Sequence, residues 1–338
     1  MPPILHRKRC PKCAGRMTGW GRTPSGRQRF RCPSCGGTGI RKRPDNRTRH
    51  DGDAFGKWIL GKATLAETAK AEGVSVRTLI RRFAPFWDGP PAPRKPRPAD
   101  VLVLDATYVE PRRMMAFIAG NPRDSSPVGW AFSERESRAS WTAFLSGLSR
   151  DGIRPSFVVC DAQRGLLCAI RAVWPDALVQ RCVIHVHRQA RTWLTNSPKT
   201  RAGREMSAIV DALLDVRSKR KKRRWIRSFR SWCARHERFL KERTLATDGR
   251  GRRRWWYTHR KLRAVRSLVG NAIPDLFRHI GRPEVPRTSN HIEGGVNSRI
   301  KELMRCHRGL DVRKKKSLVA WYLSKRQEAA EKPTRNVT

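Results

Sequence analysis

Two short runs, Val101-Leu-Val-Leu104 and Phe157-Val-Val-Cys160, are apolar at every position, and each ends at once in an aspartate, Asp105 and Asp161. Uninterrupted apolar runs of this length suit strands covered on both faces, so the chain needs a sheet with layers on either side of it. An acid at the mouth of such a sheet stands out here, because the chain has 74 Lys+Arg against 28 Asp+Glu. Carboxylates that hold Mg²⁺ beside a field of cations suit an enzyme acting on phosphodiesters: the cations hold the nucleic acid and the carboxylates hold the metal.

The charge balance points to the same partner. A formal net charge of +46 makes an isolated globule repel itself, so a polyanion such as double-stranded DNA is the expected neighbour. No apolar run approaches the roughly 18 residues of a spanning helix, and Met1 to Lys12 lacks the apolar stretch of a signal peptide. A cytoplasmic, nucleoid-associated protein with no membrane partner and no small-molecule cofactor is expected. Nine cysteines, unevenly spread, argue for metal ligation rather than a disulfide framework.

Cys10-Pro-Lys-Cys13 and Cys32-Pro-Ser-Cys35, with 18 residues between the pairs, have the spacing of a zinc ribbon. Four thiolates on Zn²⁺ then replace a core too small to form over residues 1–43. Gly15, Gly19, Gly21 and Gly26 read as turns, and Arg27, Arg29 and Arg31 alternate on a returning strand. Past a charged linker, Arg41 to Arg47, residues 51–88 read as a helix-turn-helix DNA-binding domain. Thr64 caps Leu65 to Glu72 with Glu67 three residues on, Gly73 turns the chain, and Ser75 caps a second helix. Val76, Leu79, Ile80 and Phe83 form its apolar stripe, leaving Arg77, Thr78, Arg81 and Arg82 outward to meet DNA.

Gly89 to Pro98 holds too many prolines for a helix or central strand and reads as an extended, semi-rigid spacer, residues 89–99. Strands follow at Val101 to Tyr108, Met114 to Ala119 and Val128 to Phe132, close enough for an antiparallel meander. The pattern then alternates: a helix over Ser140 to Leu148, a strand over Phe157 to Cys160, a helix over Leu166 to Trp174 and a strand over Ala177 to Val183. This predicts an α/β domain with a mixed five-stranded sheet, in which the Val101 strand is central and Asp105 and Asp161 share one crevice.

The sequence around Asp161 narrows the reading. Phe157-Val-Val-Cys-Asp161-Ala-Gln-Arg-Gly, then Trp174-Pro175-Asp-Ala, then Gln180-Arg-Cys182-Val-Ile-His185 resembles the core of Mutator-like transposases, including bacterial insertion-sequence members. Pro286-Arg-Thr-Ser-Asn290-His-Ile-Glu293-Gly-Gly-Val-Asn297-Ser-Arg-Ile-Lys301 is similar to that family's closing motif. The resemblance implies a ribonuclease-H-like fold of the DDE class, with Glu293 completing an Asp105, Asp161 and Glu293 set that binds Mg²⁺ or Mn²⁺. It implies cleavage and strand transfer at the element's terminal inverted repeats, with the protein acting on DNA as a dimer or larger oligomer. The N-terminal zinc module marks a variant of the group.

The catalytic fold is then split into residues 100–186 and 286–330 by an insertion, residues 187–285, expected to be all helical. Its apolar stripes are Met206, Ile209, Val210, Leu213 and Leu214, and Trp225, Ile226, Phe229, Trp232 and Cys233. Arg217 to Arg227 is dense in cations. Trp255 and Trp256 sit beside Arg250 to Arg254, and either stack on an unpaired DNA base or anchor helices, one in each role being expected. Ile292, Val296, Ile300 and Leu303 are expected to pack the Glu293 helix on the sheet, with Asn290 facing DNA. Cys182 and His185 support the site wall, since two ligands do not make a zinc site and Cys168, Cys233 and Cys306 have no completing spacing. Two other readings stay open: a DNA-binding regulator without catalysis, and a ribonuclease-H-like nuclease or junction resolvase.

Overall fold

The computed structural model describes residues 9–331, apart from 11, 25, 27, 41–45, 162 and 248–251. Arg27, and the linker from Arg41 to Asp45, lie outside the described residues. Contacts divide the chain into two units, Met1–Phe86 and Trp87–Thr338.

In the first unit, β1 (Thr18–Arg22), β2 (Gln28–Arg31) and β3 (Thr38–Ile40) form an antiparallel sheet in that order. Its buried core is Cys10, Met17 and Cys32, with Phe30 against them. So little apolar surface cannot hold three short strands together unaided. Arg29 and Arg31, two residues apart on β2, both lie over the Trp20 ring, at 4.7 and 5.3 Å.

Three helices follow: α1 (Asn46–Leu60), α2 (Leu65–Ala71) and α3 (Val76–Asp88). The predicted capping box is present, with Glu67 N–H donating to Thr64 Oγ1 and Thr64 N–H to Glu67 Oε2. Gly73, at φ +61°, makes the turn, a conformation that a Cβ would strain. Thr78 N–H donates to Ser75 Oγ, so Ser75 caps α3 as expected.

The stripe on α3 is narrower than its spacing predicts. Leu79 and Phe83 are 1% exposed, whereas Val76 and Ile80 are 38% and 52% exposed. The cause is α1, whose start the sequence reading placed in a linker. It packs Phe55 and Trp58 against Phe83, with centroids 5.3 and 5.4 Å away, and so covers only one side of α3. Arg77 and Arg81 are exposed and Thr78 is half-buried. Arg82 departs from the outward set: its guanidinium lies 3.7 Å from Asp51 of α1 and its Nε is buried.

The second unit is built on β4 (Val101–Glu110), β5 (Met114–Gly120), β6 (Pro127–Ser133), β7 (Phe157–Cys160) and β8 (Leu178–Arg181). The order β6-β5-β4-β7-β8 puts the Val101 strand in the middle, antiparallel to β5 and parallel to β7. Crossovers through α4 (Arg138–Arg150) and α5 (Arg164–Val173) make the parallel part. Leu102, Leu104, Val158 and Cys160 share a core with Trp141, Leu145, Leu166 and Ile170 of these helices. Alternation along a strand therefore sends Val103, Asp105 and Val159 to the opposite face. There lie α11 (Asn290–Ile292), a π-helical turn (Glu293–Asn297), α12 (Ser298–Cys306) and α13 (Val312–Glu331), named after the insertion helices below.

The insertion has its own core. It comprises α6 (Val183–Leu194), α7 (Arg201–Ala212), α8 (Lys219–Arg235), α9 (Glu237–Leu240) and α10 (Arg260–Ala272). Val183 and Val186 already belong to that core, so α6 leads from the sheet into the insertion without a break. Met206, Val210, Leu213, Trp225, Phe229 and Trp232 are buried as predicted. Both buried indoles keep a partner, Trp225 Nε1 donating to the Ile209 carbonyl and Trp232 Nε1 to that of Ala202.

An all-helical insertion is not what forms. β9 (Arg243–Thr247) and β10 (Arg253–Tyr257) pair as an antiparallel hairpin, with Trp255 opposite Leu245 and Trp256 opposite Thr244. Thr244, Thr247 and the Trp-Trp-Tyr run favour an extended backbone, and the glycines between the strands favour a turn, which outweighs the helical surroundings. Neither Trp255 nor Trp256 is thus a helix anchor. Trp255 is 51% exposed under Arg243 at 4.2 Å, and Trp256 is half-buried with Arg260 at 5.8 Å.

The proline-rich segment is also fastened rather than only extended. Arg94 N–H donates to Gln327 Oε1, and the Arg94 guanidinium reaches Glu328 and Glu331 of α13, at 2.7 Å each. No helix among the described residues is long and apolar enough to cross a membrane.

Candidate active site

The register of the two central parallel strands sets the first two carboxylates. Val101 pairs with Phe157, Leu102 with Val158 and Val103 with Val159; the same offset aligns Asp105 with Asp161. Both follow an apolar run by one residue and so turn to the face of α11–α13, but only Asp161 lies just past the end of its strand: β4 runs on to Glu110 because it stays paired with β5, which leaves Asp105 in mid-strand rather than at the strand end that its sequence suggested. Asp105 Oδ1 accepts from Ala106 N–H at 2.9 Å, and Asp161 Oδ1 from Gln163 N–H at 3.0 Å.

The third carboxylate comes from a helix that the sequence holds close to the sheet. Ile292, Val296, Ile300 and Leu303 are all fully buried, as their spacing predicts. A Cβ on Gly120 of β5 would overlap the end of the Ile292 side chain and lie 2.9 Å from its Cγ1, so this close approach needs glycine. At Glu293 the helix widens into a π-helical turn, a local rearrangement common at functional sites. Its effect here is to bring both Glu293 and Asn297 to the crevice. Asn297 Nδ2 donates to Asp105 Oδ2 at 2.6 Å.

Burial pushes the Asp105 carboxyl up to about 7; the Ala106 N–H opposes this, Asp161 and Glu293 add repulsion, and His185 offsets part of it. Asp105 of β4 therefore lies within reach of the charges of Asp161 just past β7, His185 of α6 and Glu293 of the π-helical turn. Glu293 Oε1 accepts from Arg188 Nη1 at 2.7 Å and lies 3.9 Å from His185 Nε2, while Oε2 is buried with no hydrogen-bond partner. Burial also raises Glu136, ahead of α4; Trp141 Nε1 donates to it at 3.0 Å and opposes the rise, and the charge of Asp161 adds to it.

Cys182 and His185 hold the approach to the Glu293 helix. They lie at the start of α6, and Ser289, one residue before α11, donates its N–H to Cys182 Sγ at 3.4 Å and sits 3.4 Å from His185 Nδ1 through its hydroxyl. Val183 N–H donates to the Arg287 carbonyl at 3.1 Å. The Cys182 hydrogen bond raises His185 to about 9 against the effect of burial. Burial alone would raise the Cys182 thiol, but His185 and Ser289 bring it below its ordinary value.

The donor set suits a hard divalent cation. Asp161 and Glu293 lie near enough to Asp105 for their charges to act on it, and one Glu293 oxygen is buried and unpaired, although the three carboxylates do not offer oxygens all within 4.8 Å of one another as the N-terminal sulfurs do. The N-terminal cluster suits zinc instead. The sulfurs of Cys10, Cys13, Cys32 and Cys35 all lie within 4.8 Å of one another, and three of the pairs are 3.4, 3.5 and 3.4 Å apart. The Cys35 backbone N–H leads in lowering Cys32 to about 6, while Cys13 is pushed up to about 12 by its neighbouring sulfurs against the Gly15 N–H. Crowded sulfurs with backbone N–H groups aimed at them are what a thiolate-bound Zn²⁺ relieves.

Asp105 thus has Asp161, Glu293 and His185 near enough for their charges to act on it, and Cys182 lies beside His185. Asn290 is exposed at the start of α11 and lies apart from the carboxylate contacts. The sequence reading gave no role to Asn297, Arg188 or Ser289. Asn297 alone had a usable signal, a polar residue four positions after Glu293 beside the buried stripe.

Comparison with known proteins bears on this domain directly. Residues 101–241 match the sequence model of the Mutator family of transposases. A Corynebacterium diphtheriae protein named "Probable transposase for insertion sequence element" is 32% identical over 69 residues, 20% of each chain. The transposase for insertion sequence element IS905 of Lactococcus lactis is 35% identical over 97 residues, 26% of this chain and 25% of the relative. That for ISRM5 of Rhizobium meliloti is 32% identical over 103 residues, 28% and 26% of the two chains. The chain thus spans 20% to 26% of the length of these relatives. Residues 101–241, which carry Asp105, Asp161, Cys182 and His185, are thus similar to a Mutator-family transposase domain.

Proposed function

We propose that the protein is the transposase of a bacterial insertion sequence, cutting DNA at the element's terminal inverted repeats and joining the ends to target DNA. The observation that carries this is the placement of Asp105 within β4 and Asp161 just past the end of the adjacent parallel β7, at the same offset as the paired residues, with Glu293 near enough for its charge to act on Asp105. The sheet order and the helices on both faces support a ribonuclease-H-like fold of the DDE class. Asp105, Asp161 and Glu293 would hold Mg²⁺ or Mn²⁺, which when bound supplies Lewis acidity to the attacking and leaving oxygens of an in-line displacement. Asn297 fixes the Asp105 carboxylate, and Cys182 and His185 fix the segment that delivers Glu293.

DNA binding falls to the basic surfaces. Arg77 and Arg81 are the exposed cations on α3 suited to a DNA groove, and Thr78 lies beside them; Arg82, tied to Asp51, serves α1–α3 packing instead. Lys219 to Arg227 on α8 suits a phosphate track. Trp255 suits stacking on an unpaired base near a cleaved end. Trp255→Ala should weaken binding of a duplex with a single-stranded end by about 10-fold and leave blunt-duplex binding nearly unchanged; equal losses on both would reject stacking.

The decisive assay incubates the protein with labelled element ends and Mg²⁺. The wild type should nick and join them, and Asp161→Ala and Glu293→Gln should bind the same DNA and do neither. Wild-type binding without chemistry would favour a regulator, and cleavage without joined products a nuclease.

A further inference from the structure

Arg188 stands out among the cations of α6. Arg191, one turn later on the same helix, is absorbed by the insertion: it lies 3.5 Å from Asp211 and donates to the Ser207 hydroxyl. His187 likewise takes Asp211, at 3.0 Å. Arg188 is instead 59% exposed, and the carboxylate it meets is Glu293, whose Oε1 it holds at 2.7 Å. The other oxygen of Glu293 is buried and unpaired. Thus a solvent-exposed guanidinium from the helix leading into the insertion occupies one oxygen of a carboxylate otherwise suited to a metal. The helix itself is fixed, because Val183, Val186, Ala190 and Leu194 are buried in the insertion core.

We propose that Arg188 is a displaceable counter-ion of the carboxylate site, neutralising Glu293 until a divalent cation takes its place and then turning to a phosphate of the DNA strand being cut. This rests on the reading of Glu293 as a metal ligand. Two features favour exchange over a permanent structural pair. The guanidinium is largely solvated, so leaving Glu293 carries little desolvation cost, and exposed pairs are weak. Glu293 and Asp161 also act on the Asp105 charge, and a divalent cation neutralises more of such a set than one guanidinium at its edge. Once released, the planar fork is suited to a phosphodiester at the crevice mouth.

The inference predicts opposite signs for two measurements on one variant. Arg188→Ala removes a competitor for Glu293, so Mn²⁺ titrated calorimetrically into the full chain without DNA should bind about three- to tenfold more tightly. The same variant should lose a phosphate contact. With Mn²⁺ present, the salt slope for binding a labelled random-sequence duplex with a single-stranded end should become shallower by about one, and with chelator present it should match the wild type. Arg188→Lys should keep the wild-type slope, and circular dichroism melts show that each variant is folded. Mn²⁺ affinity unchanged in Arg188→Ala while Glu293→Gln weakens it would overturn the counter-ion role and leave the metal site standing. Tighter Mn²⁺ binding with an unchanged slope would overturn the transfer to phosphate. Unchanged Mn²⁺ affinity in Glu293→Gln would remove the metal-site reading itself, and the inference with it.

Discussion

Asp105→Asn is expected to stabilise the protein in chelator at pH 8 while lowering strand cleavage by about a thousandfold or more, the scale of losing several kcal/mol of metal-borne transition-state stabilisation. Burial and two neighbouring acids lift the Asp105 carboxyl to about 7, against an ordinary value of 3.8. An acid whose folded pKa is raised is penalised only when ionised in the fold. The penalty is absent below pH 4, grows as pH rises toward 7, and is complete above it. Its size is on the order of 2–4 kcal/mol, and the amide removes it. The hydrogen bonds survive the change. Ala106 N–H still finds an oxygen, and Asn297, whose Oδ1 is buried without a partner, can rotate its amide to accept from the new one. Thermal melts in chelator should show the variant at least about 5 °C more stable at pH 8 and level with the wild type at pH 4. No gain at pH 8 would mean that the crevice does not bury charge in this way. Adding Mg²⁺ should stabilise the wild type more than the variant, since only the wild type has that carboxylate to give.

Cys32→Ser should unfold the first strands without touching the catalytic unit. Cys32 is fully buried, and apart from sulfur the three-stranded sheet has little beyond Met17 and Phe30 to bury. Structural zinc supplies roughly 10–16 kcal/mol of folding free energy in modules of this kind, far more than that core can. The wild type should carry about one zinc per chain, as expected of four thiolates around one ion. In Cys32→Ser the zinc should fall away, and protease should cut within residues 9–40 while leaving residues 87–331 intact. Unchanged zinc content or an unchanged digestion pattern would reject the site. Chelation of the wild type by phenanthroline should reproduce the variant's pattern.

The sheet was legible because its signals are local. A strand buried on both faces must be apolar at consecutive positions, which singled out Val101–Leu104 as central and placed Asp161 after its strand, while Asp105 proved to lie within β4 because pairing with β5 carries that strand on to Glu110. The four-cysteine cluster was legible for the same reason, since two Cys-x-x-Cys turns state a metal-ligand spacing within four residues. The hairpin was missed although its residues favour it, because the helical stripes around it set the expectation for the whole insertion. Arg82 and the exposure of Ile80 were missed because α1, which decides which side of α3 is covered, was read partly as a linker.

The sequence by itself determined the central strands, the acids that follow their apolar runs, the clustered cysteines and, through the Cys182–His185 and Asn290–Glu293 motifs, the resemblance to Mutator-like transposases. Only the tertiary structure decided how those acids meet. The parallel pairing of β4 with β7 sets the offset of Asp105 and Asp161, Gly120 admits Ile292, and Asn297 of the π-helical turn reaches Asp105. Arg188 and Ser289 acquire roles only by being folded against residues more than a hundred positions away in the chain. Strand propensity and metal-ligand spacing act between near neighbours in sequence; burial, repulsion between acids and the pairing of an arginine with a distant glutamate depend on distances that exist only once the sheet and the insertion have packed.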